Sequence, residues 1–582
     1  MRTVAEHLAE RARTHPAQVA LQVRDRAITF AELHADSDAL ASGLQSVGIV
    51  AGTRTALMVP PGLDFFSLTF ALFKIGAVPV LIDPGMGMKN LKACLAQAEP
   101  EAFIGSTKAH LARRLFGWAK RSVRITVNAG AWRFFCTTST EELRRRADPV
   151  KGRVNELDSL AAILFTSGST GIAKGVEYTH SIFAAQIELL KATYCIEPGE
   201  IDYCTFPLFA LFGAALGMTC VVPDMDASRP ANIDPVKVRG QLRRFRCTNL
   251  FGSPAVLKRL ANEAGADPAD YVSVRRVISA GAPSTPAVLE KFTKLLPAGV
   301  PIFTPYGATE CLPVANISSA EILNETRVLT EQGRGVCVGK PVAGMEVMVI
   351  PITDGAIAEL DFQSRKRERR SDSDTVAHAS GSEGLVIGEF VVRGPVVTPR
   401  YFRNPTATAL AKIRDPATGE TLHRMGDVGY IDELGRLWFC GRKSHRVVTA
   451  QGTLFTDMVE PVFNAVDGVE RCALVGVKRA GVTYAIICIE DAPPGVIREA
   501  PKNYWIPPYT SELRSDLHLS LLARAKVFPH TARIDIFLDY HFQFPVDVRH
   551  NSKIFREKLA VWADRRLGPN WKGEITWRGE TT

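Results

Sequence analysis

Long apolar runs, paired cysteines and an apolar leader are all missing from this sequence of 582 residues. No run reaches the roughly 18 consecutive apolar residues that a membrane-spanning helix needs. The first seven residues include an acidic side chain and form no apolar segment, so no secretory signal is expected. The eleven cysteines show no C-x-x-C spacing, so neither a zinc site nor a disulfide framework is predicted. We expect reduced, mostly buried thiols in a cytoplasmic protein.

A strong charge bias is also absent. The net charge is +9, from 70 Lys and Arg residues against 61 Asp and Glu, and the arginines are spread along the chain. This balance suits an anionic ligand or a weak attraction to acidic surfaces. Because no helix-turn-helix, zinc-finger or RNP pattern is present, nucleic-acid binding is not expected. The length and the 46% hydrophobic content indicate a globular protein of two or more domains.

A loop rich in glycine and hydroxyl groups is the most informative stretch. The apolar residues 160–165 before it predict a buried strand. Backbone N–H groups in such a loop can form a nest for a polyphosphate, and Lys174 adds a positive charge. The candidate ligand-binding residues of the loop are Thr166, Ser167, Gly168, Ser169, Thr170 and Gly171. Composition alone also allows a plain surface turn, whereas the glycine-to-lysine spacing does not fit a Walker loop.

The order S-G-S-T-G-x-x-K-G resembles the phosphate loop of the adenylate-forming superfamily, which includes acyl-CoA synthetases, peptide-synthetase adenylation domains and luciferases. Y-G-x-T-E from Tyr306, G-D-x-G around Asp427 and the closing lysine segment at Lys553 extend the resemblance. It implies an α/β fold: a large amino-terminal adenylation domain of layered α/β subdomains over residues 1–441, and a small mobile α+β carboxyl-terminal domain over residues 442–582. Residues 361–383, which are charged and serine-rich, are expected to form a mobile insert.

The resemblance implies an ATP site built from several segments. The adenine ring would lie between a turn and a strand formed by Gly281, Ala282, Pro283, Tyr306, Gly307 and Ala308. Asp427 would accept hydrogen bonds from both ribose hydroxyls. Arg442 would reach the ribose or a phosphate, where a planar and always charged fork suits bidentate contact. ATP and Mg²⁺ are therefore the expected cofactors.

The resemblance also implies the catalytic groups. Thr309 would contact the α-phosphate, Glu310 would hold Mg²⁺, and Lys174 would lie near the departing pyrophosphate. Lys553 would bridge the substrate carboxylate and the α-phosphate. His180 ends a Thr-His pair that is structural in the family, so it is assigned to the scaffold.

An apolar segment over residues 206–218 predicts either a core helix or the wall of an acyl pocket. The candidate pocket residues are Phe209, Leu211, Phe212 and Gly213. The family often has histidine after Pro-Leu-Phe, where this chain has Ala210. The segment from Gly441 to Gly452 is also one residue longer than the family pattern, which leaves the hinge at Lys443 or Ser444. Both departures argue against thioester formation.

This apolar segment, the Pro-Asp-Met-Asp after it and the Arg-His-Asn-Ser-Lys near the end are similar to the β-lactone synthetases of bacterial long-chain olefin biosynthesis. That resemblance implies adenylation of a long-chain 2-alkyl-3-hydroxyalkanoic acid and ring closure by its own 3-hydroxyl. His445 and His550 are candidate bases for the hydroxyl. The expected partners are a thiolase-like enzyme, a reductase and a β-lactone decarboxylase. The alternatives are a long-chain fatty acyl-CoA or acyl-AMP ligase, and a non-catalytic adenylate-binding component of a multienzyme complex.

Overall fold

The computed structural model describes residues 1–146, 156–165, 173–226, 229–362, 386–491, 516–546, 554–569 and 571. Four sequence-based expectations therefore lie outside the described residues. They are the phosphate-loop residues 166–171, residues 363–383 of the charged insert predicted over 361–383, the candidate base His550 and the candidate catalytic Lys553.

The amino-terminal part alternates helices and strands, as its sequence predicts. Its helices are α1 (Val4–Thr14), α2 (Phe30–Ser46), α3 (Leu63–Lys74), α4 (Met88–Ala98), α5 (Thr107–Phe116), α6 (Thr140–Arg145), α7 (His180–Tyr194), α8 (Pro207–Ala215), α9 (Pro235–Phe245) and α10 (Pro254–Ala261). Its strands are β1 (Val19–Val23), β2 (Arg26–Thr29), β3 (Arg54–Met58), β4 (Val78–Leu81), β5 (Ala102–Gly105), β6 (Ile125–Asn128), β7 (Thr138–Ser139), β8 (Leu160–Phe165), β9 (Gly175–Thr179), β10 (Ile201–Cys204), β11 (Thr219–Val222) and β12 (Asn249–Gly252).

Local chemistry explains why these elements start and stop where they do. Thr29 caps α2, since its side chain accepts from the backbone N–H of Glu32, whose carboxylate bonds back to the cap. Helix α3 ends before Gly76, which has a φ of +67°, a conformation that favours glycine and ends the helix before strand β4. Strands β3 to β9 form one sheet in the order β7-β6-β5-β3-β4-β8-β9. Its pairs are parallel except for β8 with β9.

The rest of the large part adds the helices α11 (Pro286–Thr293), α12 (Ser319–Glu321), α13 (Arg327–Glu331) and α14 (Pro405–Ala411). Its strands are β13 (Arg276–Ser279), β14 (Ile302–Ala308), β15 (Cys311–Ser318), β16 (Val336–Pro341), β17 (Glu346–Ile350), β18 (Gly388–Arg393), β19 (Lys412–Arg414), β20 (Thr421–Ile431) and β21 (Leu437–Arg442).

A second sheet runs through most of the large part. Its order is β17-β18-β20-β21-β16-β15-β14-β13-β12-β10-β11-β1-β2, with β19 paired to β20. The pairs from β14 through β13, β12, β10 and β11 to β1 are parallel. The pair of β1 with β2 and the pairs from β14 to β17 are antiparallel. Parallel strands are covered by helices on both faces. Their carboxyl ends form the edge where open α/β sheets bind ligands.

After Arg442 the described chain forms smaller sheets. β22 (Val447–Thr449) and β23 (Gly452–Leu454) make a hairpin, and β24 (Cys472–Arg479), β25 (Val482–Glu490) and β26 (Phe537–Tyr540) make a three-stranded sheet. The helices are α15 (Thr456–Asn464), α16 (Asp516–Val527) and α17 (Arg556–Leu567). The domain boundary at 441/442 stays a prediction.

The cysteines lie mainly in the interior. Nine of the eleven are buried, Cys136 is half-buried and Cys195 is exposed, and all are free thiols. The predicted burial of most thiols is confirmed. Across the described ranges, no helix is both long enough and apolar enough to cross a membrane.

Candidate active site

Lys174 is placed beside an aromatic ring by the hairpin of β8 and β9. Gly175 allows this hairpin, since a Cβ there would come within 3.0 Å of the Phe165 ring. Strand β9 also contacts the segment around Tyr401, because Phe402 N–H donates to the Gly175 carbonyl at 2.7 Å. As a result, Lys174 Nζ lies 5.0 Å from the centre of the Tyr401 ring, within cation–π range.

The turn at Thr309 and Glu310 is held from three sides. The Tyr401 hydroxyl donates to Glu310 Oε1 at 2.6 Å, and Thr398 donates to the Glu310 carbonyl through both its hydroxyl and its N–H, at 2.9 and 3.0 Å. The Tyr178 hydroxyl donates to the Thr309 carbonyl. Burial, and then the charge of Glu310, raise the pKa of the Tyr401 hydroxyl, so it stays a donor. The carboxylate is thereby oriented before any ligand arrives.

Glu310 has the chemistry expected of a magnesium ligand. Within the described ranges, only Tyr401 hydrogen-bonds to its carboxylate, and Oε2 stays available. No cluster of three or more His, Cys, Asp or Glu side chains suited to a metal occurs in that part of the chain. A single carboxylate fits Mg²⁺, which is commonly bound by one or two carboxylates together with substrate phosphates.

Asp427 and Arg442 meet across neighbouring strands. The two residues are direct partners in the β20–β21 register, and Arg442 Nη1 lies 2.8 Å from Asp427 Oδ1. The Tyr306 hydroxyl donates to Asp427 Oδ2 at 2.6 Å. Asp427 is 3% exposed, and burial raises the pKa of its carboxyl while the Arg442 charge opposes that rise. The structure therefore brings three predicted nucleotide-binding residues together.

One oxygen of this cluster lacks a directed hydrogen bond. Asp427 Oδ1 is buried, and no described donor points at it, although the Arg442 guanidinium is close enough for charge attraction. A buried carboxylate oxygen without a donor is costly. Ribose hydroxyls are donors of the right kind, so the arrangement fits the predicted role of Asp427.

The predicted adenine-contact residues lie at the ends of adjacent parallel strands. Strands β13 and β14 pair in parallel, and Gly281 to Pro283 follow β13 while Tyr306 to Ala308 end β14. Gly281 has a φ of +98°, a conformation that glycine adopts without a Cβ penalty. At Gly307 an added Cβ would lie 2.7 Å from the Cys311 carbonyl, so only glycine fits this close strand approach. The site residues thus share the sheet edge where ligands bind.

The predicted apolar segment forms helix α8, as the core-helix interpretation expects, and its role as an acyl wall stays a prediction. Phe209 is buried and stacks on Phe251 with ring centres 4.1 Å apart, while Leu211 is also buried. Gly213 faces strand β11, where a Cβ would collide with Cys220 Sγ. Phe212 is half-buried. A series of neighbouring aromatic rings connects it to Tyr178, whose hydroxyl bonds to the Thr309 carbonyl. Their centres are 5.9 Å apart from Phe212 to Phe183 and 4.9 Å from Phe183 to Tyr178.

The histidine and hinge candidates occupy distinct surroundings. His180 is buried against Phe73, with ring centres 5.8 Å apart, and burial lowers its pKa to about 4. Those contacts suit a scaffold residue. His445 lies in a 3-10 turn over Lys443–His445, and burial, then Arg556 and Arg442, lower its pKa to about 4. Lys443 Nζ donates to Glu389 Oε2 at 3.1 Å, whereas Ser444 is exposed.

Sequence reasoning gave no role to Tyr178, Thr398, Tyr401 or Lys412. Lys412 Nζ donates to Thr398 Oγ1 at 3.0 Å, so it supports the residue that holds the Glu310 carbonyl. The lysine is only 8% exposed. The segment Tyr401-Phe-Arg-Asn-Pro follows the family pattern and was the only available signal. Nothing in sequence spacing indicates that Lys412 lies beneath the site.

We expect the pH dependence of stability to report on Lys412. Burial lowers the pKa of its ammonium from the ordinary 10.5 to about 8, and the Glu310 charge partly opposes this. The unfolded chain therefore binds more protons between these two values, and stability rises with pH across that window. The free energy of unfolding of the wild type, minus that of Lys412→Met, should therefore increase by up to about 3 kcal/mol when the pH is raised from 8 to 10.5.

Urea unfolding at several pH values measures this difference. Lys237→Met, at an exposed lysine, is the matched control and should show no such trend. A wild-type-minus-variant difference that stays constant with pH would contradict the burial argument for Lys412.

We expect Asp427→Asn to weaken ATP binding. The amide keeps the shape but loses the charge that attracts Arg442 and strengthens acceptance from ribose. Hydrogen bonds to a charged group contribute about 1.5–3 kcal/mol, so the dissociation constant should rise about 10- to 100-fold. Calorimetric titration with ATP measures it, and Tyr306→Phe, which keeps the carboxylate, should have a smaller effect. Unchanged affinity in Asp427→Asn would remove the residue from the ribose site.

Known proteins with similar sequences and folds show which family the chain belongs to. The family model described as "AMP-binding enzyme" matches residues 8–402. The olefin β-lactone synthetase of Stenotrophomonas maltophilia is 45% identical over 97% of this chain and 98% of that protein. The olefin β-lactone synthetase of Xanthomonas campestris pv. campestris is also 45% identical, over 96% of this chain and 97% of its own length.

Solved structures match over similar lengths. The amide bond synthetase of Marinactinospora thermotolerans has a TM-score of 0.72 at 21% identity, covering 96% of this chain and 99% of that one. The o-succinylbenzoate coenzyme A synthetase of Bacillus subtilis, solved with ATP and magnesium, has a TM-score of 0.69 at 20% identity, covering 95% and 98%. The predicted α/β adenylate-forming fold is confirmed. With the family model covering more than half of the sequence and close relatives matching nearly all of it, the chain belongs to the AMP-binding, or adenylate-forming, enzyme family.

Proposed function

We propose that this chain is an ATP-dependent olefin β-lactone synthetase. It adenylates a long-chain 2-alkyl-3-hydroxyalkanoic acid with release of pyrophosphate, and the acid's 3-hydroxyl then displaces AMP to close a β-lactone. The observation that carries this proposal is the 45% identity to olefin β-lactone synthetases over 97% of the chain. A match of that extent includes the carboxyl-terminal region as well as the large part.

The described site supports the first step. A carboxylate oxygen attacks the α-phosphorus while the bond to pyrophosphate breaks, so two anions must be positioned and their charge neutralised. Asp427 and Arg442 would hold the ribose, and Lys174 would lie near the departing pyrophosphate. Glu310 would hold Mg²⁺, which supplies charge neutralisation on the phosphates. Lys553 would complete the site from the carboxyl-terminal part.

The second step needs no external nucleophile. The 3-hydroxyl oxygen attacks the acyl carbon, the bond to AMP breaks, and the hydroxyl proton passes to a base. Because the nucleophile belongs to the same molecule, its high effective concentration offsets part of the ring strain. At neutral pH the His445 imidazole is uncharged and so has a free lone pair, but its low pKa makes it a weak base. His550 is the other candidate.

The sequence around the site supports an activity independent of coenzyme A. Ala210 replaces a histidine common in thioester-forming members, and the hinge segment is one residue longer than theirs. The other pathway enzymes, a thiolase-like enzyme, a reductase and a β-lactone decarboxylase, are proposed partners that supply the acid and consume the lactone. Since the reaction consumes ATP, the cytoplasm is the proposed compartment.

Product analysis by mass spectrometry tests the proposal. Purified protein, ATP, Mg²⁺ and a long-chain 2-alkyl-3-hydroxy acid are combined with and without coenzyme A. A product lighter than the acid by one water, formed without coenzyme A, is the expected result. A product that appears only with coenzyme A and carries that group would make the chain an acyl-CoA ligase. Absence of pyrophosphate release with any acid would favour a non-catalytic adenylate-binding protein.

A further inference from the structure

An exposed surface that precedes the predicted phosphate loop in the sequence combines apolar and basic side chains. We call it the basic–aromatic patch. Its apolar members, on α5 and on the loop after β6, are 44–80% exposed: Leu111, Leu115, Phe116, Trp132, Phe134 and Phe135. The two parts meet, because the Arg114 guanidinium lies 4.7 Å from the centre of the Phe135 ring and donates to the Phe135 carbonyl at 3.1 Å. The loop and the helix therefore form one surface.

The patch is exceptional for this protein in its aromatic content. Elsewhere among the described residues, the large exposed apolar side chains are aliphatic, and every exposed phenylalanine or tryptophan belongs to the patch. Trp132, at 80%, is the most exposed of all of them. Single exposed apolar residues are normal, whereas a contiguous group marks an interaction surface.

Positive charge is concentrated around the patch, although arginines are spread along the chain as a whole. Residues 102–140 contain seven Lys and Arg residues and no Asp or Glu. On α5, Lys108, Leu111 and Leu115 are spaced three and four residues apart, so they share one helix face. Cations and exposed apolar groups therefore point to the same side.

The loop is held in a conformation that presents its rings. Asn128 Nδ2 donates to the Trp132 carbonyl at 2.8 Å, and Ser139 Oγ donates to the Ala131 carbonyl at 3.1 Å. Phe134 has a φ of +53°, a left-handed conformation that is unfavourable for a bulky residue. The hydrogen bonds offset that cost and keep Phe134 and Phe135 outward, with ring centres 5.1 Å apart.

We propose that the basic–aromatic patch docks this protein on the surface of an anionic lipid bilayer. Tryptophan and phenylalanine with leucine insert at the boundary between headgroups and acyl chains, and lysine and arginine attract anionic headgroups. Glu142, just beyond this range, pairs with Arg133, and the remaining cations of 102–140, which include the exposed Lys108, give the patch the charge complementary to such a surface. No described helix is suited to span a membrane, so the protein lies on the bilayer. The long-chain acid of the proposed function partitions into bilayers, but the docking surface does not depend on that assignment.

Vesicle co-sedimentation of the full chain tests docking. We expect binding to vesicles of phosphatidylcholine with phosphatidylglycerol, weak binding to phosphatidylcholine alone, and a decrease with salt. Each basic residue near an anionic surface changes binding by about fivefold. Lys108 lies on α5, Lys120 follows the end of α5 by four residues, and both are exposed. Lys108→Glu with Lys120→Glu should therefore weaken binding by about 25-fold or more. The triple change Trp132→Ala, Phe134→Ala and Phe135→Ala should abolish stable sedimentation.

Matched variants separate docking from general surface effects. Lys237→Glu with Lys526→Glu changes charge equally at exposed positions elsewhere, and Val272→Ala, Val328→Ala and Leu434→Ala change exposed apolar residues elsewhere. Both controls should bind like the wild type, and all variants should keep pyrophosphate release. Equal binding of patch and control variants, or no binding to anionic vesicles at low salt, would overturn the proposal. The proposal would also be overturned if the protein did not bind vesicles but self-associated or bound nucleic acid, and if the patch variants removed that association.

Discussion

Replacing Lys553 with alanine is expected to abolish adenylation while ATP binding is retained. Removing one preorganised stabiliser of transition-state charge lowers a rate by about 10²–10³, and Lys553 would be the group that bridges the attacking carboxylate and the α-phosphate. ATP would be held mainly by other residues, because Asp427 and Arg442, the proposed ribose-binding pair, lie on neighbouring strands of the large sheet. Pyrophosphate exchange measures the first step, and calorimetry measures ATP affinity.

A nearby lysine provides the control for Lys553. Lys558 is exposed and lies on α17, five residues further along the chain. Lys558→Ala removes the same charge from the same region and should exchange pyrophosphate at the wild-type rate. Normal turnover by Lys553→Ala would show that another group neutralises the transition state. Equal loss in both variants would indicate a general effect of charge on the carboxyl-terminal part.

Replacing Glu310 with glutamine is expected to lower the adenylation rate by about 10² or more and to raise the Mg²⁺ concentration needed for half-maximal rate. The amide keeps the hydrogen bond from Tyr401 but removes the negative charge, and hard cations such as Mg²⁺ favour charged oxygen ligands. Initial rates of pyrophosphate release over a Mg²⁺ series give both quantities.

Tyr401→Phe separates charge from orientation at Glu310. This change removes the 2.6 Å hydrogen bond to Oε1 and keeps the carboxylate. We expect a loss of about tenfold in rate, the scale of one hydrogen bond to a charged group, with an unchanged Mg²⁺ requirement. If Glu310→Gln leaves the Mg²⁺ requirement unchanged as well, Glu310 is not a metal ligand and its role is limited to positioning the Thr309 turn.

The sequence identified the parts of the site that lie in short contiguous motifs. Tyr306, Thr309 and Glu310 fall within five residues of one strand end, and Asp427, inside β20, pairs in direct register with Arg442, which ends β21. Local spacing and the family resemblance are sufficient for such residues, because backbone geometry carries neighbours together. The break of α3 before Gly76 and the core helix at Pro207–Ala215 were predictable for the same reason.

The supporting contacts were not predictable in this way. Tyr401 and Thr398 contact Glu310 across 91 and 88 residues of sequence, and Lys412 reaches the turn only through Thr398. A buried lysine in an otherwise apolar stretch has no periodic signature. The same holds for the basic–aromatic patch, since the seven cations are visible in the sequence but the exposure of Trp132, Phe134 and Phe135 depends on how the loop packs.

By itself, the sequence determined the family and the order of the strands and helices near each motif, and it predicted the residue types that would bind a nucleotide and a metal. These properties follow from local backbone preferences and from chemistry carried within a few consecutive residues. Only the tertiary structure decided which distant groups orient Glu310, that Asp427 has a buried oxygen to which no described residue directs a hydrogen bond, and that Lys412 lies in an environment that lowers its pKa. Those features depend on burial and on contacts between strands far apart in sequence, where small differences in packing determine which polar groups meet.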